Sequence, residues 1–469
     1  MSNILRQPNE NSSGTIRRSL LKNTRPGFGQ DLYRLVLPIV IQNLITSSVS
    51  LADTVMLGQV TQTALSASSL AGQVQFLLNI VFFGLNSALT ILAAQYWGKG
   101  DSRSIARIFG IGLIISVFCC GLATVLALFA PFSVIRIWTN VPELIEAGAR
   151  YLRVVALSYL FAGFSQPYLS IMRSCERVKL STVISSITLI LNVILNAVLI
   201  FGLFGLPAMG IEGAALATTI SRGIELAICA VDFACQKLMP RSPLIIFSIP
   251  KILLADFGRY SMPAFINDAL WGLAFNMNSI IMGHLGSDIV AANSVVTVAR
   301  DLLSVTGYGV STAAAILLGK EIGANNLKMA KNDASSVMQV TVIISIIQGI
   351  LLLAASPIIP GFVKISDTSR SYLRIMLWIS CVYQFGQMVN TVLIASLFRC
   401  GGDSRYGMIL DIICMWGFAV PLGLISAFVL KLPPIWVYAL MCTDEFAKMP
   451  FALHHYKSGN WIRNLTRDF

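Results

Sequence analysis

The chain is 469 residues long, 55% hydrophobic and only 12% charged, which excludes a soluble globular protein and places it among polytopic membrane proteins. Its net charge of +12 does not mark a nucleic-acid partner, because 25 of the 34 Lys and Arg residues sit in short segments that alternate with apolar stretches. The nine cysteines include no CxxC pair and no Cys/His cluster, so neither a metal site nor a disulfide framework is expected.

In chain order, residues 1–30 are polar, rich in Asn, Ser and Arg, and read as a disordered cytoplasmic tail without an apolar core. Apolar stretches of spanning length follow near 32–57, 67–97, 104–131, 151–172, 180–204, 211–236, 257–284, 290–318, 334–356, 372–398, 406–430 and 434–453. The expected fold is therefore an all-α polytopic membrane protein, with twelve transmembrane helices in two pseudo-symmetric six-helix lobes around a central cavity. The N-lobe covers 31–236 and the C-lobe 257–453. A cytoplasmic linker, 237–256, carries Lys237, Pro240, Arg241, Pro243 and Lys251, and 454–469 forms a second tail. The basic residues cluster in 1–34, 98–107, 173–179, 237–259, 320–331, 399–405 and 448–467, which all fall on one side of a twelve-span chain. That bias puts both termini in the cytoplasm, as in a bacterial inner membrane, and the same cations would meet anionic lipid headgroups.

The chain repeats itself. Leu35-Val36-Leu37-Pro38 opens a stretch that closes at Met56-Leu57-Gly58, and 225 positions on, Tyr260-Ser261-Met262-Pro263 opens one that closes at Ile281-Met282-Gly283. Tyr151-Leu152-Arg153 recurs as Tyr372-Leu373-Arg374, and Met172-Arg173-Ser174-Cys175-Glu176-Arg177 is echoed around Arg399-Cys400-Gly401-Gly402-Asp403. Six spans per half is an even number, so both halves enter the membrane in one direction and the two-fold axis lies along the bilayer normal. A duplicated membrane protein of this kind handles its substrate between its halves.

Polar residues inside the spans mark where. In the first span Asn43, Thr46, Ser47, Ser50, Asp53 and Thr54 recur at three to four residues, on one helical face that must turn to the bundle interior or to water. Asp53 is the sharpest of them; its alternative reading is a capped helix-end carboxylate, since Gly58 follows. The fifth span stacks Ser185, Thr188, Asn192 and Asn196 on one face. Amide and carboxylate oxygens suit a hard cation such as sodium, and a desolvated carboxylate also takes up a proton. The alternative for the amides is helix–helix adhesion. In the second half Asp268, Trp271, Phe275 and Asn278 share a face, a carboxylate beside two aromatics that suits a lipophilic cation; the alternative is an Asp paired with an Arg for assembly. Asp411 in span eleven is either a site residue, a gate or a salt-bridge partner. Arg222 with Glu225 and Glu445 with Lys448 are read as local i, i+3 pairs, and Arg300 and Asp301 as adjacent charges that point apart and need partners elsewhere.

These motifs resemble those of the multidrug and toxic compound extrusion (MATE) transporters over residues 30–465. The likeness rests on Pro38 with Ala52-Asp53-Thr54-Val55-Met56-Leu57-Gly58, on Ala93-Ala94-Gln95-Tyr96-Trp97-Gly98-Lys99-Gly100 and on Asn192-Val193-Ile194-Leu195-Asn196. It continues with Gly210 to Thr218 leading to Ser221-Arg222, with Asn267-Asp268 and Trp271-Gly272, and with Arg399-Cys400-Gly401-Gly402-Asp403. The resemblance implies two six-helix lobes that rock between outward-open and inward-open states, and export of cationic amphipathic drugs in exchange for sodium or protons. It also implies a cation site on Asp53, Asn192 and Asn196; the substrate or coupling candidates in the C-lobe, Asp268, Trp271, Asn278 and Asp411, come from this chain's own polar faces and not from the family. The chain departs from the family in two places. Many relatives carry Asp where this chain has Asn196, and some use an acid in helix ten, where only Gln384, Gln387 and Asn390 stand here.

No phosphate-cradling loop, no HExxH and no nucleophile with a plausible His points to an enzyme. A monomeric antiporter for small organic cations, without cofactor, is the expected function. A flippase for a lipid or lipid-linked precursor is the alternative, and it would require a cavity rich in Arg and Lys. A membrane scaffold gives no reason for polar stripes in both halves.

Overall fold

A backbone in hydrocarbon must satisfy its own hydrogen bonds, and the long elements of this chain are accordingly all helices. A computed structural model describes residues 27–363 and 365–468, without the side chains of Ser50, Leu51, Thr54, Val55, Gln62 and Phe362. The first half contains α1 (Phe28–Val60), α2 (Gln62–Lys99), α3 (Ser102–Phe129), α4 (Pro142–Ser174), α5 (Val178–Phe201) and α6 (Gly210–Cys235). The second contains α7 (Lys251–His284), α8 (Ser287–Gly323), α9 (Leu327–Ala355), α10 (Asp367–Phe398), α11 (Ser404–Val429) and α12, which is broken into Pro434–Met441 and Asp444–Ser458. Ten of these are long and apolar enough on their own to cross a membrane. The other two, α7 and α12, are the ones that carry Asn267 and Asp268 and Asp444, Glu445 and Lys448, and their polarity is spent inside the protein. Helix α1 starts at Phe28, so residues 28–30 of the expected 1–30 tail are helical; residues 1–26 lie outside the described residues, as do the side chains of Ser50 and Thr54.

The repeat of 225 residues governs the packing. Gly98 of α2 lies against the Lys320 carbonyl of α8, and Gly323 of α8 against the Gln95 carbonyl of α2; each partner is the other's counterpart one repeat away. Between them Gly319 faces Ala94, whose Cβ would sit 2.8 Å from a methyl placed on the glycine. Gly84 of α2 receives Phe265 of α7, and Gly309 of α8 receives Val40 of α1, again one repeat apart. This reciprocity is the signature of an isologous contact about a two-fold axis, and the small residues let the two backbones touch. The loops match as well: α2 ends on Gly100 at φ +80° and α8 is followed by Asn325 at φ +63°. A methyl at Gly323 would be driven into backbone, which cannot give way. Gly323→Ala is therefore expected to cost about 1–3 kcal/mol and to lower the unfolding midpoint of the purified protein; an unchanged midpoint would mean that α2 and α8 do not cross here.

The first helix of each half reaches into the other. Phe28, Leu32, Leu35 and Ile39 of α1 are buried with α8, α9 and α10, whereas Leu253, Phe257 and Ala264 of α7 are buried with α2, α3 and α4. The far end of α1 returns to its own half, where Leu57 packs on Ile200 of α5 and Ala214 of α6. The chain end closes the face that also holds the start of α1. Gln95, fully buried, donates to the carbonyls of Cys400 (2.7 Å) and Arg463 (3.2 Å) and accepts from the Leu465 amide (2.7 Å). Arg467 pairs with Asp256 at 2.6 Å, Lys320 with Glu176 at 2.7 Å and Lys99 with Asp468 at 2.6 Å. The hydrogen bond from Lys99 holds the exposed Asp468 carboxyl below the usual carboxylate range.

Toward the opposite face both crossing helices become exposed. Exposed residues of α2 run through Ser69, Gln73, Phe76, Leu77 and Asn79 to Phe83, and those of α8 through Ser294, Val298 and Asp301 to Leu302. Beyond Phe83 and Leu302 neither helix is exposed again until its end, because there they press on each other and on α1 and α7. These exposed stretches of α2 and α8 lie away from the chain termini and are related to each other by the repeat.

Candidate functional site

Two helical faces predicted to be polar meet in the first lobe. Helix α5 presents Ser185, Thr188, Asn192 and Asn196, all buried, toward its neighbours α1 and α6. Asn196 Nδ2 donates to Asp53 Oδ1 at 2.6 Å and to Asn192 Oδ1 at 3.3 Å; Asn192 Nδ2 donates in turn to Thr218 Oγ1 at 3.3 Å. Thr218 closes the chain on the Ala214 carbonyl, which ties the site to α6. Among the described residues no Lys, Arg or His pairs with Asp53. Asn196 Oδ1 is buried beside it and accepts no hydrogen bond. A carboxylate without a countercharge and an amide oxygen without a donor form a half-built oxygen shell.

Asp53 opens onto a cavity of about 680 Å³, lined by Leu57, Leu65, Ser66, Ser69, Trp138 and Tyr151 among others, all from the first half. Its one charged wall residue is the acid, with no Lys or Arg. A second cavity of about 210 Å³ lies farther along α2, between Gln75, Asn79, Phe83, Asn86, Gln166 and Arg222. Arg222 is engaged there by Glu225 at 3.0 Å, and Glu225 also accepts from Ser165 (2.5 Å) and Gln166 (3.1 Å). The expected local pair is present, embedded in a wider hydrogen-bonded set.

In the second lobe the acids take the paired arrangements that the sequence reading held as alternatives. Asp268 was expected as a carboxylate open to a cation; it is instead closed by Arg399 in a bidentate pair, Nη2–Oδ1 2.6 Å and Nη1–Oδ2 3.1 Å, both side chains less than 10% exposed. Arg399 also donates to Ser87 of α2 at 3.0 Å, so this pair bridges the halves. Asp411 likewise holds the Lys448 ammonium at 3.0 Å and accepts from Asn267 Nδ2 at 3.0 Å. Lys448 meets Glu445 at 3.0 Å and Asp444 at 3.8 Å, and Asn390 donates to Glu445 at 2.7 Å. What reads along the sequence as a local i, i+3 pair is one cation among three buried carboxylates. The π-helical turns of α10 and α11 begin directly after Asn390 and Asp411, the two residues that reach this cluster from those helices. Trp271 stacks on Phe275 with ring centroids 5.8 Å apart and packs against α11, while Asn278 is half-buried two turns on. None of Asp268, Trp271, Asn278 and Asp411 lines either cavity, and the structure does not bring them together with Asp53.

The three amides of α10 are all in use. Gln384 donates to Ser304, Gln387 accepts from Arg300 at 3.3 Å, and Asn390 holds Glu445. Arg300 also lies 4.2 Å from the Tyr383 ring centroid. Sequence spacing could not reveal these partners, because they lie on other helices 55 to 87 residues away.

The family model MatE matches residues 38–198 and again 263–425, so both matches begin at the paired prolines of the repeat. The chain belongs to the MatE family of membrane transporters. It is 24% identical to a probable multidrug resistance protein NorM of Thermotoga maritima, across 97% of this chain and 99% of that one. Its fold matches the outward-facing conformation of a multidrug resistance MATE family transporter with a TM-score of 0.82 at 18% identity, over 96% of this chain and 99% of the other. It also matches, at a TM-score of 0.81, 18% identity, 96% of this chain and 99% of that chain, a Pyrococcus furiosus transporter described as having a binding pocket of reverse polarity. Fold alone does not fix function, so specificity has to be argued from the side chains of this chain. This MATE protein is a transporter and not an enzyme, with twelve helices in two related lobes.

Proposed function

We propose that the protein exports cationic amphipathic organic compounds in exchange for sodium ions or protons, with Asp53, Asn192 and Asn196 as the ion site. The carrying observation is the Asp53 carboxylate, which has an amide neighbour and no countercharge and borders a cavity free of Lys and Arg. A flippase for phosphate-bearing lipids would need the opposite lining. Helix α1 supplies the coupling: its start is packed on the second lobe and its end bears Asp53 against α5 and α6. Occupancy of the site biases α1, and α1 leans on both halves, so ion binding and lobe orientation are linked. With the basic segments in the cytoplasm, as in a bacterial inner membrane, the exposed stretches of α2 and α8 face outward and the protein acts as a monomer. Asp268 and Asp411 then serve as neutralised structural acids, and no cofactor is needed.

The test is efflux of a fluorescent organic cation from proteoliposomes under a sodium gradient or a pH gradient imposed one at a time. One of the two should accelerate transport at least about tenfold, the response to a coupling free energy of about 1.4 kcal/mol. Acceleration by neither would remove the exchanger reading.

A further inference from the structure

One acid on the exposed face of α8 is left without a salt bridge among the described residues. Asp301 is the fifteenth of the 37 residues of α8, about 6 Å from the middle of the helix at 1.5 Å per residue. That depth is well inside the roughly 30 Å hydrocarbon layer, yet Asp301 is exposed and has no hydrogen bond or ion pair among the described residues. Arg300 beside it turns the other way, onto Tyr383 and Gln387 of α10. A carboxylate at this depth does not face lipid; it faces water.

The repeat identifies which water. The exposed face of α8, with Ser294, Val298, Asp301 and Leu302, falls one repeat from the exposed face of α2, with Ser69, Gln73, Phe76 and Leu77. These are the two faces that become exposed beyond the α2–α8 crossing. Phe76 and Phe83 are 47% and 57% exposed on α2, and Tyr308 is half-buried two turns below Asp301 on α8, at the counterpart position of Phe83. Two related faces thus supply one acid without a salt bridge among the described residues, two exposed rings, Phe76 and Phe83, and one largely buried ring, Tyr308, near the α2–α8 crossing.

We propose that Asp301 is the residue that recognises the positive charge of the transported compound, with Phe76, Phe83 and Tyr308 receiving its apolar body. Rings and a carboxylate around a desolvated organic cation combine charge pairing with cation–π contact. The proposal rests on the export of organic cations and names the determinant for charge. It gives Asp53 and Asp301 separate tasks, the first toward the coupling ion and the second toward the cargo.

Equilibrium binding separates this from the transport reading. Ethidium, a monocation, and propidium, a dication with the same rings, would be titrated into the purified full-length protein and followed by fluorescence anisotropy, with no gradient present. Asp301→Asn should raise the Kd for ethidium roughly five- to tenfold and that for propidium by more. Asp301→Glu should restore most of the affinity for both, which a merely structural role would not do. A monodisperse elution profile shows that each variant is folded. Unchanged dye affinity in Asp301→Asn, or a wild-type protein that binds neither dye, overturns the proposal. Dye binding that depends on Asp301 without any gradient-driven efflux would leave this site standing and remove the exchanger.

Discussion

Asp53→Asn should lose gradient-driven efflux while the protein still folds. The substitution keeps the shape of the side chain and an oxygen that can accept the Asn196 amide, now 2.6 Å from the carboxylate. Exchanging a charged acceptor for a neutral one alters a single hydrogen bond, worth on the order of 1 kcal/mol, so purification and thermal unfolding should be close to wild type. What disappears is the charge. An amide neither binds a proton near neutral pH nor contributes the negative oxygen that a sodium ion needs. A site with equal affinity in both conformations shifts no population, and a gradient then does no work. Coupled efflux should fall at least about tenfold, the size of a lost 1.4 kcal/mol preference, while the dye affinity assigned to Asp301 remains. Undiminished sodium- or proton-driven efflux in Asp53→Asn would take this residue out of the coupling mechanism.

Lys448→Met should have the largest effect on stability. The ammonium lies 3.0 Å from Asp411, 3.0 Å from Glu445 and 3.8 Å from Asp444, and all four side chains are at most 10% exposed. Removing it leaves three acids together in a low-dielectric interior. The loss of one partner of a buried ion pair costs about 3–5 kcal/mol, and here one cation serves several acids. We expect a much reduced yield of folded protein and a clearly lower unfolding midpoint in detergent. Adding Asp411→Asn to Lys448→Met removes one uncompensated charge and keeps the Asn267 contact in amide form, so part of the midpoint should return. A single variant as stable as wild type, or a double variant less stable than the single, would show that Lys448 does not neutralise this cluster.

The contrast between the two lobes shows where sequence reading reaches and where it stops. On α5 the steps Ser185, Thr188, Asn192 and Asn196 are local, and helical geometry alone stacks them on one face, which the structure then turns inward. The polar first span is local in the same sense, and α1 brings Asp53 to within 2.6 Å of Asn196 although 143 residues separate them. The acids of the second half behaved differently. Whether Asp268 is free depends on Arg399, which is 131 residues away. Whether Asp301 is free depends on Arg300 finding α10 instead, a choice made by helix rotation and packing and not by spacing.

The sequence by itself determined that this is a duplicated bundle of twelve membrane helices, because hydrocarbon demands long apolar helices and a repeat of 225 residues forces related packing onto both halves. It also marked the face of α5 that carries the amides, since periodicity of side chains is a property of one helix. Only the tertiary structure decided which acids keep a charge to offer. Neutralisation is a contact between different helices, and Arg399 and Lys448 form salt bridges with Asp268 and Asp411. Asp53 and Asp301 make no salt bridge among the described residues, Asp53 beside a cavity and Asp301 on an exposed helix face with only the charge of its neighbour Arg300 acting on it.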